Sequence, residues 1–108
     1  MAYDEGLAQR IRELLEERED LSERRMFGGL CFMLGGNMCC GVVGDDLMLR
    51  VGKDAYEELL ARPHARPMDF TGKPMRGMLY VDPAGTEEEG LRDWVERGVA
   101  FASSLPPK

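Results

Sequence analysis

Met26–Val51 reads MFGGLCFMLGGNMCCGVVGDDLMLRV, and its punctuation decides the fold. Three short apolar runs, Leu30–Leu34, Met38–Val43 and Leu47–Val51, are separated by Gly35-Gly36-Asn37 and Gly44-Asp45-Asp46. Runs this short cannot sustain helices, and the separators supply the turn-prone and positive-φ residues that tight hairpins need. The stretch predicts a three-stranded antiparallel meander that serves as the floor for the helices. It holds all three cysteines and six of the thirteen glycines, but only three charged residues.

Upstream, Tyr3–Glu19 predicts a helix with Leu7, Ile11, Leu14 and Leu15 on one apolar face. Asp4 is its expected N-cap, and Glu5 suits the positive end of the helix dipole. Glu19–Glu23 turns the chain toward the sheet, and Gly28-Gly29 allows a bulge or a close backbone approach.

Downstream, Gly52–Arg62 predicts a short helix burying Tyr56, Leu59 and Leu60, ended by Pro63. Arg62–Lys73 is a loop with at most a short strand at Met68–Phe70, and Gly77–Val81 is the next strand. Thr86 with Glu89 three residues on reads as a capping box. The helix it opens carries Leu91, Trp94, Val95, Gly98 and Ala102 on one face, with Val99 and Phe101 on its flanks and Trp94 as a core anchor.

Strands grouped in hairpins with helices outside them give an α+β two-layer sandwich of order α-β-β-β-α-β-β-α. The sheet is mainly antiparallel, with the helices packed on one face. The expected domain is residues 1–104, with 105–108 a disordered tail. Met33, Met38, Met48, Met75 and Met78 are left for the other sheet face, an adaptable apolar surface for a partner or a second copy of the chain.

The 108 residues suit one domain, and the hydrophobic fraction of 44% is ordinary for a globular protein. No apolar run reaches the roughly 20 residues that span a bilayer, and the acidic N-terminus is no signal peptide, so a cytoplasmic protein is expected. The net charge of −6 disfavours non-specific binding to DNA or an anionic membrane. Residues 62–76 run against that total, with Arg62, Arg66, Lys73 and Arg76 against the single acid Asp69.

Chemistry is sparse. Strand alternation sends Cys39 and Cys40 to opposite faces of the sheet, which also opposes their convergence with Cys31 and His64 on a metal ion. No metal site and no cofactor is expected. Neither a P-loop nor a dinucleotide fingerprint is present among the glycines. A nucleophilic pair of His64 with Cys31, Cys39 or Cys40 is an alternative, because such pairs meet in space rather than in sequence. Buried free thiols acting as small hydrophobes are the plainer reading, and no enzyme is expected.

Several stretches carry a resemblance to a known family. They are Arg25-Met26-Phe27-Gly28-Gly29, Leu47–Val51 followed by Lys53-Asp54, Arg66–Phe70, and Met75–Val81. In these the chain, from about Leu7 to Phe101, resembles the N-terminal domain of the bacterial TfoX/Sxy competence regulators. The resemblance implies a two-layer α/β fold of the order already derived, standing here without the family's C-terminal helical domain. It also implies transcription regulation, in which full-length members are thought to act with a cyclic-AMP receptor protein at promoters. It supplies no catalytic residues.

The expected function is a non-enzymatic regulatory module that binds a protein. Its candidate surface is Arg25, Met26, Phe27, Arg50, His64, Arg66, Lys73, Met75 and Arg76, since arginine and methionine both suit interfaces. His64 beside Arg66 would form part of an anion site. A weak DNA-binding accessory protein is the alternative of another class, and a homodimer through the methionine-bearing face is a further expectation.

Overall fold

Each apolar run of the central stretch forms a strand, and the glycine-bearing separators form the turns between them. The computed structural model describes residues 3–26, 28–68, 72, 76–87 and 89–107. In chain order these give α1 (Glu5–Leu15), β1 (Leu21–Met26), β2 (Gly29–Leu34), β3 (Asn37–Val43) and β4 (Asp46–Arg50). Next come α2 (Lys53–Leu60), β5 (Ala65–Pro67), β6 (Met78–Val81), a 3-10 turn (Pro83–Thr86) and α3 (Glu89–Ser103). The strands form one antiparallel sheet in the order β1-β2-β3-β4-β6-β5. The α+β class therefore holds, with one strand more than the sequence predicts.

The additional strand is β1. Its sequence LSERRM shows no apolar alternation, and its four central residues are exposed, so periodicity cannot find it. It forms because β2 offers a full ladder, from Leu21↔Leu34 to Met26↔Gly29. Charges along such an edge discourage pairing with another chain.

The helices cover one sheet face. Leu30, Phe32, Leu34, Val42, Leu47, Leu49, Leu79 and Val81 meet Leu7 and Ile11 of α1 and Leu91, Trp94 and Val95 of α3 in the main core. Trp94 is the expected anchor, only 7% exposed. Asp4 caps α1 as expected, its Oδ1 accepting from the Leu7 amide at 3.1 Å. Both α1 and α2 are shorter than their periodic patterns suggest.

Two local expectations are corrected. Phe32 pairs with Cys40 and Met33 with Met38, so Cys39 is an extra residue in β3. This bulge breaks the alternation and puts Cys39 and Cys40 together in the main core, rather than on opposite faces. Thr86 makes no capping box: its hydroxyl donates back to the Pro83 carbonyl at 2.9 Å, closing the 3-10 turn, and α3 starts at Glu89. A short strand in the basic loop lies at Ala65–Pro67; of the expected Met68–Phe70, Met68 is in no strand, and Asp69 and Phe70 lie outside the described residues.

The second sheet face is a small sulfur-rich core. Cys31, Met33, Met48, Met68, Met78 and Tyr80 are buried there, with Met26, Met38 and Val43 packed against them. Met33, Met48 and Met78 thus lie inside the structure; Met75 lies outside the described residues. At the C-terminus, the Asn37 side-chain amide donates to the Pro106 carbonyl at 2.9 Å, which lays that residue against the β2–β3 turn.

Candidate functional site

The sheet order separates the residues of the expected surface into three groups. Arg25 and Met26 lie on β1 at one edge, and Arg66 lies on β5 at the other. Five inter-strand steps of about 4.8 Å put those edges roughly 24 Å apart. Arg25 pairs in register with Leu30 and so shares the helix-bearing side, whereas Met26 packs against the sulfur-rich face. Phe27, Lys73 and Met75 lie outside the described residues.

Arg66 is occupied within the fold. Its Nη2 donates to Asp46 Oδ2, its Nε lies 3.5 Å from Asp82 Oδ1, and its guanidinium stands 4.9 Å from the Tyr80 ring centre. These contacts tie edge strand β5 across β6 to the start of β4. His64 is exposed in the turn before β5 at φ 72°, and its carbonyl accepts from the Asp82 amide at 2.9 Å. The histidine therefore shapes the turn that delivers Arg66 to its partners.

Arg50 and Arg76 do come together, on the walls of an open cleft of about 490 Å³ between the end of β4, the start of α2 and the end of α3. The Arg50 guanidinium lies over the Phe101 ring at 5.2 Å. Arg76 is on the rim, its side chain 72% exposed and its Nη2 3.4 Å from Glu57. Lys53 is a further exposed cation on the lining, Asp54 is an acid there, and Phe101, Met78 and Val51 supply apolar wall.

Backbone geometry builds that wall. The Val51 and Gly52 amides both donate to the Gly77 carbonyl, at 2.8 and 3.2 Å. Gly52 has φ 84°, and a Cβ there would collide with the Phe101 ring, so only glycine lets β4 turn into α2 beneath that ring. Phe101 and Lys53 are the cleft residues that the sequence reading misses. Phe101 was legible only as an apolar flank of α3, because nothing in its spacing announces a partner on β4.

A second groove, of about 460 Å³, runs between α1 and α3 past Leu14, Leu15, Val95 and Val99. Its rim carries Glu13, Glu16, Glu17 and Glu96 with Arg18 and Arg92. Arg18 already faces Asp20 at 3.5 Å.

The thiols are placed as core residues. Cys31, Cys39 and Cys40 are free and buried. Burial pushes the Cys31 pKa up to about 11. A hydrogen bond with Cys39, then burial, holds Cys40 well above its ordinary value. His64 precedes β5, which lies three strands from β3 and four from β2, roughly 14 to 19 Å across the sheet. The expected alternative of a cysteine–histidine pair is therefore ruled out by topology. Among the described residues, no group of three or more His, Cys, Asp or Glu side chains could hold a metal ion. No described helix is long and apolar enough to cross a membrane.

Neither the curated proteins nor the solved structures yield a match to this chain. Residues 13–102 match the family described as TfoX N-terminal domain, from the last turn of α1 to the last turn of α3. That span takes in every strand of the sheet and both walls of the Arg50–Arg76 cleft, and the chain belongs to the TfoX N-terminal domain family.

Proposed function

We propose that this domain is a regulatory protein-binding module of TfoX type, working in the cytoplasm through contacts made at the Arg50–Arg76 cleft. The observation that carries the reading is local. In a chain of net charge −6, Arg50, Lys53 and Arg76 gather around one apolar-walled opening. Arg25, near the far edge of the sheet, and Arg66, engaged by Asp46 and Asp82, are left out of the contact surface. Direct binding to DNA is expected to be weak and salt-sensitive, because the acidic total opposes it.

Affinity capture of the tagged chain from lysate, with and without nuclease, tests the proposal. Components of the transcription machinery should be recovered, survive nuclease, and be lost in the Arg50→Glu/Arg76→Glu double variant. Equal recovery by the double variant overturns the assignment of the cleft. Loss on nuclease treatment moves the contact to nucleic acid.

A further inference from the structure

We infer that the Arg50–Arg76 cleft recognises an acidic segment of a protein partner. One carboxylate meets the two guanidinium groups while a neighbouring apolar side chain lies against Phe101 and Met78. This rests on the protein-binding reading above and names the chemistry of the partner.

The donors are available. Arg12, Arg18 and Arg66 each meet a carboxylate, whereas Arg50 has the Phe101 ring beside it and no ion pair among the described residues. The ring fixes one face of the guanidinium and leaves its N–H fork free, the arrangement that suits a planar carboxylate. Among the described residues Arg76 has the 3.4 Å contact to an exposed Glu57, which an incoming carboxylate can replace. With Lys53, three cations stand at the opening, against Asp54 in its lining and Glu57 beside Arg76.

The shape selects a peptide over a small ligand. Small molecules are held in pockets that bury some 70–90% of their surface. Here Arg76 and Lys53 stand exposed on the rim, and no described segment closes the opening. A cleft of about 490 Å³ accommodates an acidic side chain and one apolar neighbour, with the peptide backbone closing it from outside. Charge fixes the register. The net charge of −6 opposes non-specific association with an acidic partner, so the local gathering of cations at this opening sets where it docks.

The test is titration of the nitrogen-15-labelled full chain, followed by amide shifts. Three probes are used: a capped peptide alternating Glu and Asp with Leu and Phe, the same peptide with Gln and Asn in place of the acids, and sodium benzoate. The acidic peptide should give saturable shifts centred on Arg50, Gly52–Ala55, Arg76–Met78 and Phe101. Its affinity should fall at least tenfold in Arg76→Glu and in Arg50→Gln, and fall with added salt. Arg76 is a rim side chain, so its variant stays folded and the comparison holds even where Arg50→Gln perturbs the wall.

Equal binding of the amide peptide, shifts centred elsewhere, or unchanged affinity in Arg76→Glu would each overturn the inference. Benzoate binding as tightly as the acidic peptide would also overturn it, in favour of a small carboxylate. If the peptide fails while lysate capture stays sensitive to the Arg50/Arg76 reversal, only the acidic-segment chemistry falls. If capture is also insensitive, the protein-binding reading of the cleft falls with it.

Discussion

Gly98 of α3 is set against the carbonyl of Cys39, the extra residue of the β3 bulge. A Cβ at position 98 would stand 2.9 Å from that oxygen, 3.2 Å from the Cys39 sulfur and 2.8 Å from Leu49 Cδ1. The bulge pushes backbone toward the helix, and the missing side chain makes room for it. Gly98→Ala should therefore destabilise, although alanine favours helix by about 1 kcal/mol. Overpacking against a backbone atom costs about 1–3 kcal/mol. A urea melt should show a net loss of up to about 2 kcal/mol. A variant more stable than the parent, showing the helix gain of about 1 kcal/mol with no overpacking cost, would mean that helix and bulge are not in close contact.

The same pair of residues shows where sequence reading succeeds and stops. The apolar runs and their glycine turns place β2, β3 and β4, because hairpin geometry is local and written in residue type. A bulge is not written there. Cys39 and Cys40 look like any two strand neighbours until a partner strand supplies a register. β1 is hidden for the related reason that its pairing with β2, rather than its own pattern, creates it. Thr86 and Glu89 have the spacing of a capping box, but Pro83 sets up a 3-10 turn whose carbonyl claims the hydroxyl first. At the cleft, the arginines were legible as charges; Phe101, which orients one of them, was not.

Arg12 and Glu23 join α1 to edge strand β1. Arg12 Nε and Nη2 donate to the two Glu23 carboxylate oxygens at 2.7 and 2.9 Å. This hydrogen-bonded arginine holds the Glu23 pKa below its ordinary value of 4.5. A carboxylate lowered on folding adds stability above its unfolded pKa and loses it as pH falls through the folded one. Both side chains are about one-third exposed, so the pair contributes at most about 1 kcal/mol. Glu23→Gln should be less stable than the parent at neutral pH by a few tenths to about 1 kcal/mol. That gap should shrink as pH drops below 4.5, and also in high salt. Denaturant melts across pH check it; a gap that widens in acid contradicts the linkage.

The buried thiols predict silence toward labelling reagents. With Cys31 pushed up to about 11 and Cys40 raised as well, native protein near pH 8 carries almost no thiolate at either position. A disulfide-exchange reagent should react slowly at about pH 8, at a rate set by opening of the fold, and with all three thiols at once in concentrated guanidinium chloride. One equivalent reacting rapidly in the native protein would reveal an activated cysteine and revive a thiol chemistry.

Arg66 and Arg76 lie in the same basic region of the sequence, yet the structure gives them opposite work. Arg66 links β5 to Asp46 and Asp82 over the Tyr80 ring, while Arg76, among the described residues, meets an exposed glutamate. Arg66 is partly exposed, and its Nη1 is buried without a hydrogen-bond partner, so its net contribution is modest. Arg66→Ala should lower stability by about 1 kcal/mol, a few degrees in a domain of this size. Amide exchange at Ala65 and Arg66 should rise, because β5 is a three-residue edge strand that pairs only with β6. Arg66→Lys keeps the charge but loses the planar fork and the full stack on Tyr80, so it should recover only part of that loss. Arg76→Ala should stay within about 0.5 kcal/mol of the parent, its cost appearing only when partner is bound. If Arg76→Ala instead lowers the melting temperature as much as Arg66→Ala, then Arg76 is a structural residue, and the cleft loses one of its two recognition arginines.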